Sequence, residues 1–147
     1  MSKKVSIKLE NKQKIIDDDQ TQQINNQYQG QFYIKNEKLY LSYEDDAEGM
    51  DKARTIIKID PETQRVLLMR QEPAAMKQNF ISGKKKEGYF KTAYGEIKMA
   101  VKTQNLEMEI SKNSGLIKIY YQVFLGGELN AEHHLKLNYK ILKENLE

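Results

Sequence analysis

Cysteine and tryptophan are missing from this chain of 147 residues, proline and histidine each occur twice, and arginine occurs three times. Without cysteine there is no disulfide scaffold, no thiol nucleophile and no cysteine-ligated zinc. No apolar run reaches the roughly 18 residues of a membrane span, and the lysine-bearing start lacks the apolar segment of a secretory signal. Neither membrane insertion nor export is therefore expected, and the cytoplasm is the expected compartment. An excess of one charge sign is lacking too. The 24 basic residues exceed the 21 acidic ones by a net +3, too little for a protein that coats nucleic acid.

What is present is a soluble, patterned chain, 39% hydrophobic and 31% charged with a mean hydropathy of −0.78. Its length suits one domain, read here as spanning residues 1–147. The dominant signal is alternation of apolar and polar residues, the mark of half-buried strands. Val5, Ile7 and Leu9 begin it, and a polar stretch over residues 17–23 interrupts it. Ile24, Tyr28, Gly30, Phe32 and Ile34 then share one face, and Asn36 with Glu37 suits a tight hairpin turn before Leu39, Leu41 and Tyr43. Residues 44–52 (EDDAEGMDK) read as an acidic loop. Thr55, Ile57 and Ile59 are followed by the Asp60-Pro61 turn and by Val66 to Arg70, and Pro73 marks an edge, bulge or corner. Met76, Gln78 and Phe80 come next, then Gly88, Phe90 and Thr92, then Ile97, Met99 and Val101. Leu106, Met108 and Ile110 read as a separate strand. Ile117 through Leu125 and Leu129 through Ile141 close the series, the last read as the longest strand.

About ten strands, within a range of 8–11, with short connections and no convincing helix give an all-β chain. A flat sheet of that size would leave two sticky edges, which closure removes, and consecutive hairpins favour an antiparallel up-and-down barrel over a Greek-key sandwich.

Three strings, KLYLSYED from Lys38, MRQEPAAMKQNFISG from Met69 and YFKTAYGEIKM from Tyr89, resemble the YwiB-like bacterial family of unknown function. The resemblance extends from Val5 to about Lys140 and rests on Tyr40, Tyr43, Arg70, Met76, Phe80, Gly83, Tyr89, Thr92, Tyr94 and Gly95. Glu72 and Pro73 stand where that family has a glycine after the arginine, and Ala93 replaces a proline. The resemblance implies a single calycin-like (lipocalin-like) β-barrel and brings no established activity. By analogy of fold, calycin relatives hold small apolar ligands in the barrel mouth.

No phosphate-cradling glycine loop, metalloprotease helix or nucleophile elbow is present, so a non-catalytic role is preferred and no catalytic residue, metal or cofactor is assigned. His133 and His134 are adjacent on a strand and point to opposite faces, so they cannot share one metal. His133 falls on the apolar, inward face, where it serves either as a ligand anchor or general base or as a core histidine satisfied by one hydrogen bond. Arg70 shares a face with Val66 and Leu68, and a guanidinium turned inward needs a carboxylate, carbonyls or an anionic ligand. Tyr121, Tyr89 and Tyr94, among nine tyrosines, offer hydroxyls for a pocket or serve as barrel packing. The acidic clusters lack the ligand spacing of a calcium loop and read as solvated.

The expected function is binding of a small, partly apolar ligand with an anionic group inside the barrel, through Arg70, His133, Tyr121, Tyr89 and Tyr94. The alternative is an accessory module for protein or RNA that uses an outer basic surface at Lys84, Lys85 and Lys86. Nucleic acid is the less expected partner, because arginine is scarce and aromatics do not interleave with the lysines. A monomer or a homodimer is expected.

Overall fold

The computed structural model of the chain describes residues 2–18, 20–45 and 52–142. Its ten strands are β1 (Lys3–Ile15), β2 (Thr21–Lys35), β3 (Lys38–Asp45), β4 (Ala53–Asp60), β5 (Arg65–Arg70), β6 (Met76–Ile81), β7 (Lys85–Thr92), β8 (Gly95–Ile110), β9 (Ser114–Leu125) and β10 (Glu128–Ile141). Each pairs antiparallel with the next, and β1 pairs with both β2 and β10, so the meander closes into a barrel. Among the described residues none is helical. Among them, accordingly, no helix is long and apolar enough to cross a membrane.

Turn chemistry accounts for the tight connections. Asn36 and Glu37 take φ values of 52° and 65°, and Gly126 and Gly127 take 58° and 83°. Both dipeptides thus occupy the left-handed region that a two-residue hairpin turn demands of its central residues. Pro73 lies in the connection between β5 and β6, outside any ladder, where its missing N–H costs nothing.

Three segments differ from the sequence reading. The run 97–110 is one strand, β8, and not two. Its ladder with β9 slips by one residue between Thr103 and Asn105, and this bulge moves the inward set from Val101 and Thr103 to Leu106 and Met108. The break in alternation reflects that bulge, with no turn there. At 16 residues β8, and not β10, is the longest strand. The polar interruption between β1 and β2 also spans residues 16–20 and not 17–23. Both strands run on, and Lys14 still pairs with Thr21, because Asn11 and Gln13 continue the inward face of β1 with polar side chains. Glu44 and Asp45 end β3, while residues 46–51 of the acidic loop lie outside the described residues.

The β1–β2, β3–β4, β5–β6, β7–β8 and β9–β10 connections define one end of the barrel, called the upper end below, and the remaining hairpins define the lower. The lower half is a dry core. Val5, Ile7, Leu41, Ile57, Ile59, Phe80, Ile117 and Ile119 are all at most 2% exposed. Each such side chain contributes roughly 1.5–3 kcal/mol by leaving water. Aromatic packing fills what the aliphatics leave, with Phe32 stacked on Tyr139 at 5.5 Å between ring centroids.

Candidate functional site

The upper half has a different lining. Strand parity carries Asn11 and Gln13 of β1, Tyr28 of β2, Tyr43 and Asp45 of β3, Thr55 of β4, Arg70 of β5, Gln78 of β6, Tyr121 of β9 and His133 of β10 onto the inner face. The pairs Tyr43 with Thr55, Thr55 with Arg70, and Tyr121 with His133 face one another across their ladders.

Two groups form within this lining. In the first, Tyr28 stacks on Tyr43 with centroids 4.1 Å apart, and Tyr43 shares a side-chain hydrogen bond with Thr55. Burial pushes the Tyr43 hydroxyl up, and the neighbouring Tyr28 adds to this. Burial also raises Tyr28, which is hydrogen-bonded to Asp45, while the charge of Arg70 acts on both tyrosines in the opposite sense. Arg70 is half-buried, and its Nε donates to the carbonyl of Ala74. The ion pairs among the described residues are Arg54 with Glu44, at 3.1 Å, and Lys91 with Glu72, at 2.8 Å, and Arg70 belongs to neither.

In the second group His133 stacks face to face on Tyr121, with centroids 4.7 Å apart and planes 2° from parallel. Its Nδ1 lies 3.2 Å from Oδ1 of Asn11, and Asn11 also hydrogen-bonds Tyr121. Tyr121 in turn meets the fully buried Phe80 edge-on at 4.8 Å. Burial lowers the His133 pKa from 6.5 to about 4, so the ring is neutral at pH 7. The tautomer that fits donates from Nδ1 to Asn11 and leaves Nε2 with its lone pair.

Of the five residues singled out from the sequence, Arg70, His133 and Tyr121 thus stand in the upper half of the interior. Tyr89 and Tyr94 do not join them. Tyr89 pairs with Lys77 and Lys98 on the outward face and lines an external groove of about 780 Å³ with Lys85, Glu87 and Phe124. Tyr94 is fully exposed at the β7–β8 turn. His134 points outward, edge-on to Tyr120 at 4.4 Å. The three lysines do not form one patch. Lys84 is exposed, Lys85 lies 3.9 Å above the Phe124 ring, and Lys86 is half-buried opposite Val101. Among the described residues no cluster of three histidine, aspartate or glutamate side chains could hold a metal ion.

Asn11, Gln13, Thr55 and Gln78 are site residues that the sequence reading missed. Thr55 and Gln78 share a face with apolar neighbours in the sequence reading but are given no role there, while Asn11 and Gln13 fall beyond the apolar residues that mark β1. A structural signal for Asn11 and Gln13 was nonetheless available. If the barrel closes, β1 must be about as long as its partner β10, and its inward parity then passes through both residues.

The upper half of the interior can therefore accept and donate hydrogen bonds and carries both a guanidinium and a carboxylate, above a floor that is apolar apart from the buried Tyr139 hydroxyl. The chain thus layers polar side chains over apolar ones inside one wall. Comparisons with known proteins place it among relatives without an assigned activity. The chain is 29% identical over 140 residues to the uncharacterized beta-barrel protein YwiB of Bacillus subtilis (strain 168), covering 95% of this chain and 96% of that one. The crystal structure of the ywiB protein from Bacillus subtilis superposes with a TM-score of 0.83 at 25% identity, over 97% of this chain and 94% of the other. Residues 7–137 match the model of a domain of unknown function, DUF1934, and the chain belongs to that family.

Proposed function

We propose that the barrel binds a small, partly apolar molecule through an anionic group held at Arg70 in the upper half of the interior. The observation that carries this reading is the guanidinium itself. It sits inside the wall beside the stacked pair Tyr28 and Tyr43 and takes part in no described ion pair. A guanidinium has five N–H donors, and the bond to Ala74 uses one of them. Ten strands also enclose a wider interior than the eight that side chains just fill. Phe32, Phe80 and Tyr139 fill it below the polar layer, and the buried Tyr43 and Tyr121 fill part of that layer. Tyr43, Thr55 and Gln78 supply hydrogen bonds, while Leu68, Phe90 and Leu135, partly buried against the core, offer apolar contact. Asp45 restricts the anionic end of the ligand to the Arg70 side.

Native mass spectrometry of freshly purified protein, followed by titration with dodecanoate and with the matched cation dodecyltrimethylammonium, tests this. Dodecanoate is expected to bind and the cation to bind far more weakly. Arg70→Gln is expected to weaken dodecanoate by about 10- to 100-fold, the worth of one or two charge-assisted hydrogen bonds. Equal binding of both amphiphiles, or an Arg70→Gln affinity equal to the wild type's, refutes the role of Arg70.

A further inference from the structure

β2, like the second half of β8, is matched by a ladder on one side only over much of its length. Its partner β1 accompanies it from Thr21 to Phe32, but its ladder with β3 spans only Gln31 to Lys35. The stretch from Thr21 to Gly30 is thus paired along one edge alone among the described residues. Gly30 marks the parting. A Cβ there would lie 2.2 Å from the main-chain oxygen of Ser42, so the two strands approach closely at that point, and beyond it Tyr28 still stacks on Tyr43 but the backbone ladder does not continue. Every residue from Thr21 to Gln27 is exposed, on the inward parity as well as the outward. Along this half of β2 the N–H and C=O groups of the outer edge have no ladder partner among the described residues.

Proteins ordinarily protect such an edge with charge, proline or a bulge, because it is a template for another strand. This edge has no such protection. Residues 20–31 read QTQQINNQYQGQ and contain neither a charged residue nor proline, and eight of the twelve are glutamine or asparagine. Primary amides carry a donor and an acceptor at once, so a row of them is complementary to itself. An antiparallel copy centred on Asn25 sets Asn25 against Asn25, Gln23 against Gln27 and Thr21 against Gln29, with no charge facing another.

We infer that the free edge of β2 is a homodimerisation surface, at which two copies of this chain pair their β2 strands antiparallel about a two-fold axis near Asn25. Such an isologous contact satisfies the exposed backbone groups of both copies with one symmetric ladder. It buries only one strand edge per copy, so the association is weak, with a Kd on the order of 0.1 mM. The inference rests on the ladder and the composition of β2 and not on the ligand reading.

Two charge variants supply the test, each with an opposite charge opposite it on its own β1. Asn25→Lys faces Glu10, and the double variant Gln23→Glu with Gln27→Glu faces Lys12 and Lys8. Sedimentation velocity of the wild type up to about 1 mM is expected to show reversible dimerisation. Each variant alone should dimerise at least about tenfold more weakly, since like charges meet across the axis, while keeping the far-UV circular dichroism of the wild type. A one-to-one mixture of the two variants should regain the association, because each lysine then lies diagonal to two glutamates of the other copy. A wild type that stays monomeric throughout overturns the inference, as do variants that associate like the wild type or a mixture that remains monomeric.

Discussion

Lowering the pH should destabilise the barrel through one residue, His133. The imidazole is stacked on Tyr121 and bonded to Asn11, and its burial lowers the pKa from 6.5 to about 4. The neutral ring is therefore the folded-state form, whereas the unfolded chain takes up a proton as the pH falls below about 6.5. The stabilisation is complete above that pH, declines as the pH falls, and is gone below about 4. Between pH 7.5 and pH 5.0 the unfolded histidine becomes almost fully charged and the folded one stays mostly neutral. The linkage relation gives an upper value of about 2 kcal/mol for this interval, since the ring is only partly buried. In urea that corresponds to a midpoint lower by about 1 M. His133→Phe keeps the stack on Tyr121 and removes the titrating group, so it loses stability at pH 7.5 through the unbonded Asn11 but should be less sensitive to acid by that amount. Urea melts of both proteins at the two pH values, followed by circular dichroism, provide the check. Equal acid losses in the two proteins would show that His133 is already solvated in the folded state and would refute the reasoning.

Two further substitutions probe the packing. Thr103 is fully buried and its Oγ1 has no hydrogen-bond partner, so Thr103→Val should stabilise by about 1 kcal/mol and raise Tm by roughly 2–4 °C, read by scanning calorimetry. A lower Tm would mean that the hydroxyl is satisfied. Gly30→Ala places a methyl against the Ser42 carbonyl and should cost about 2 kcal/mol by pushing β2 off β3. An unchanged urea midpoint would show that the close approach is absent.

Much of this arrangement was legible in the alternation of side chains. That pattern carries the inward faces of β3, β4, β9 and β10, and with them the opposite directions of His133 and His134, whereas for Arg70 it fixes only a face shared with Val66 and Leu68, which the structure turns inward. It also held information left unread. Tyr89 lies between Gly88 and Phe90, both on the inner face, and parity alone turns it outward. Two features defeated the pattern for physical reasons. A bulge shifts the phase by one residue, and from sequence a phase shift within β8 looks like a turn between two strands. Polar side chains inside a barrel erase the contrast on which alternation depends, and for this reason the sequence reading names no inward residue of β1 beyond Leu9 and begins β2 only at Ile24. The residues hidden in this way, Asn11 and Gln13, belong to the candidate site. Binding needs polar groups inside, and these are the groups that make a strand hard to recognise.

The central claim is that the upper half of the interior is a binding cup above a dry floor, and amide chemical shifts measure it residue by residue. Titration of the isotopically labelled protein with dodecanoate, followed by heteronuclear NMR, should move the amides of Asn11, Tyr28, Tyr43, Thr55, Arg70, Gln78, Tyr121 and His133. Those of Phe32, Leu39, Ile59 and Ile117 should stay in place. Shifts confined to the outer wall, or spread equally over both halves, would contradict it.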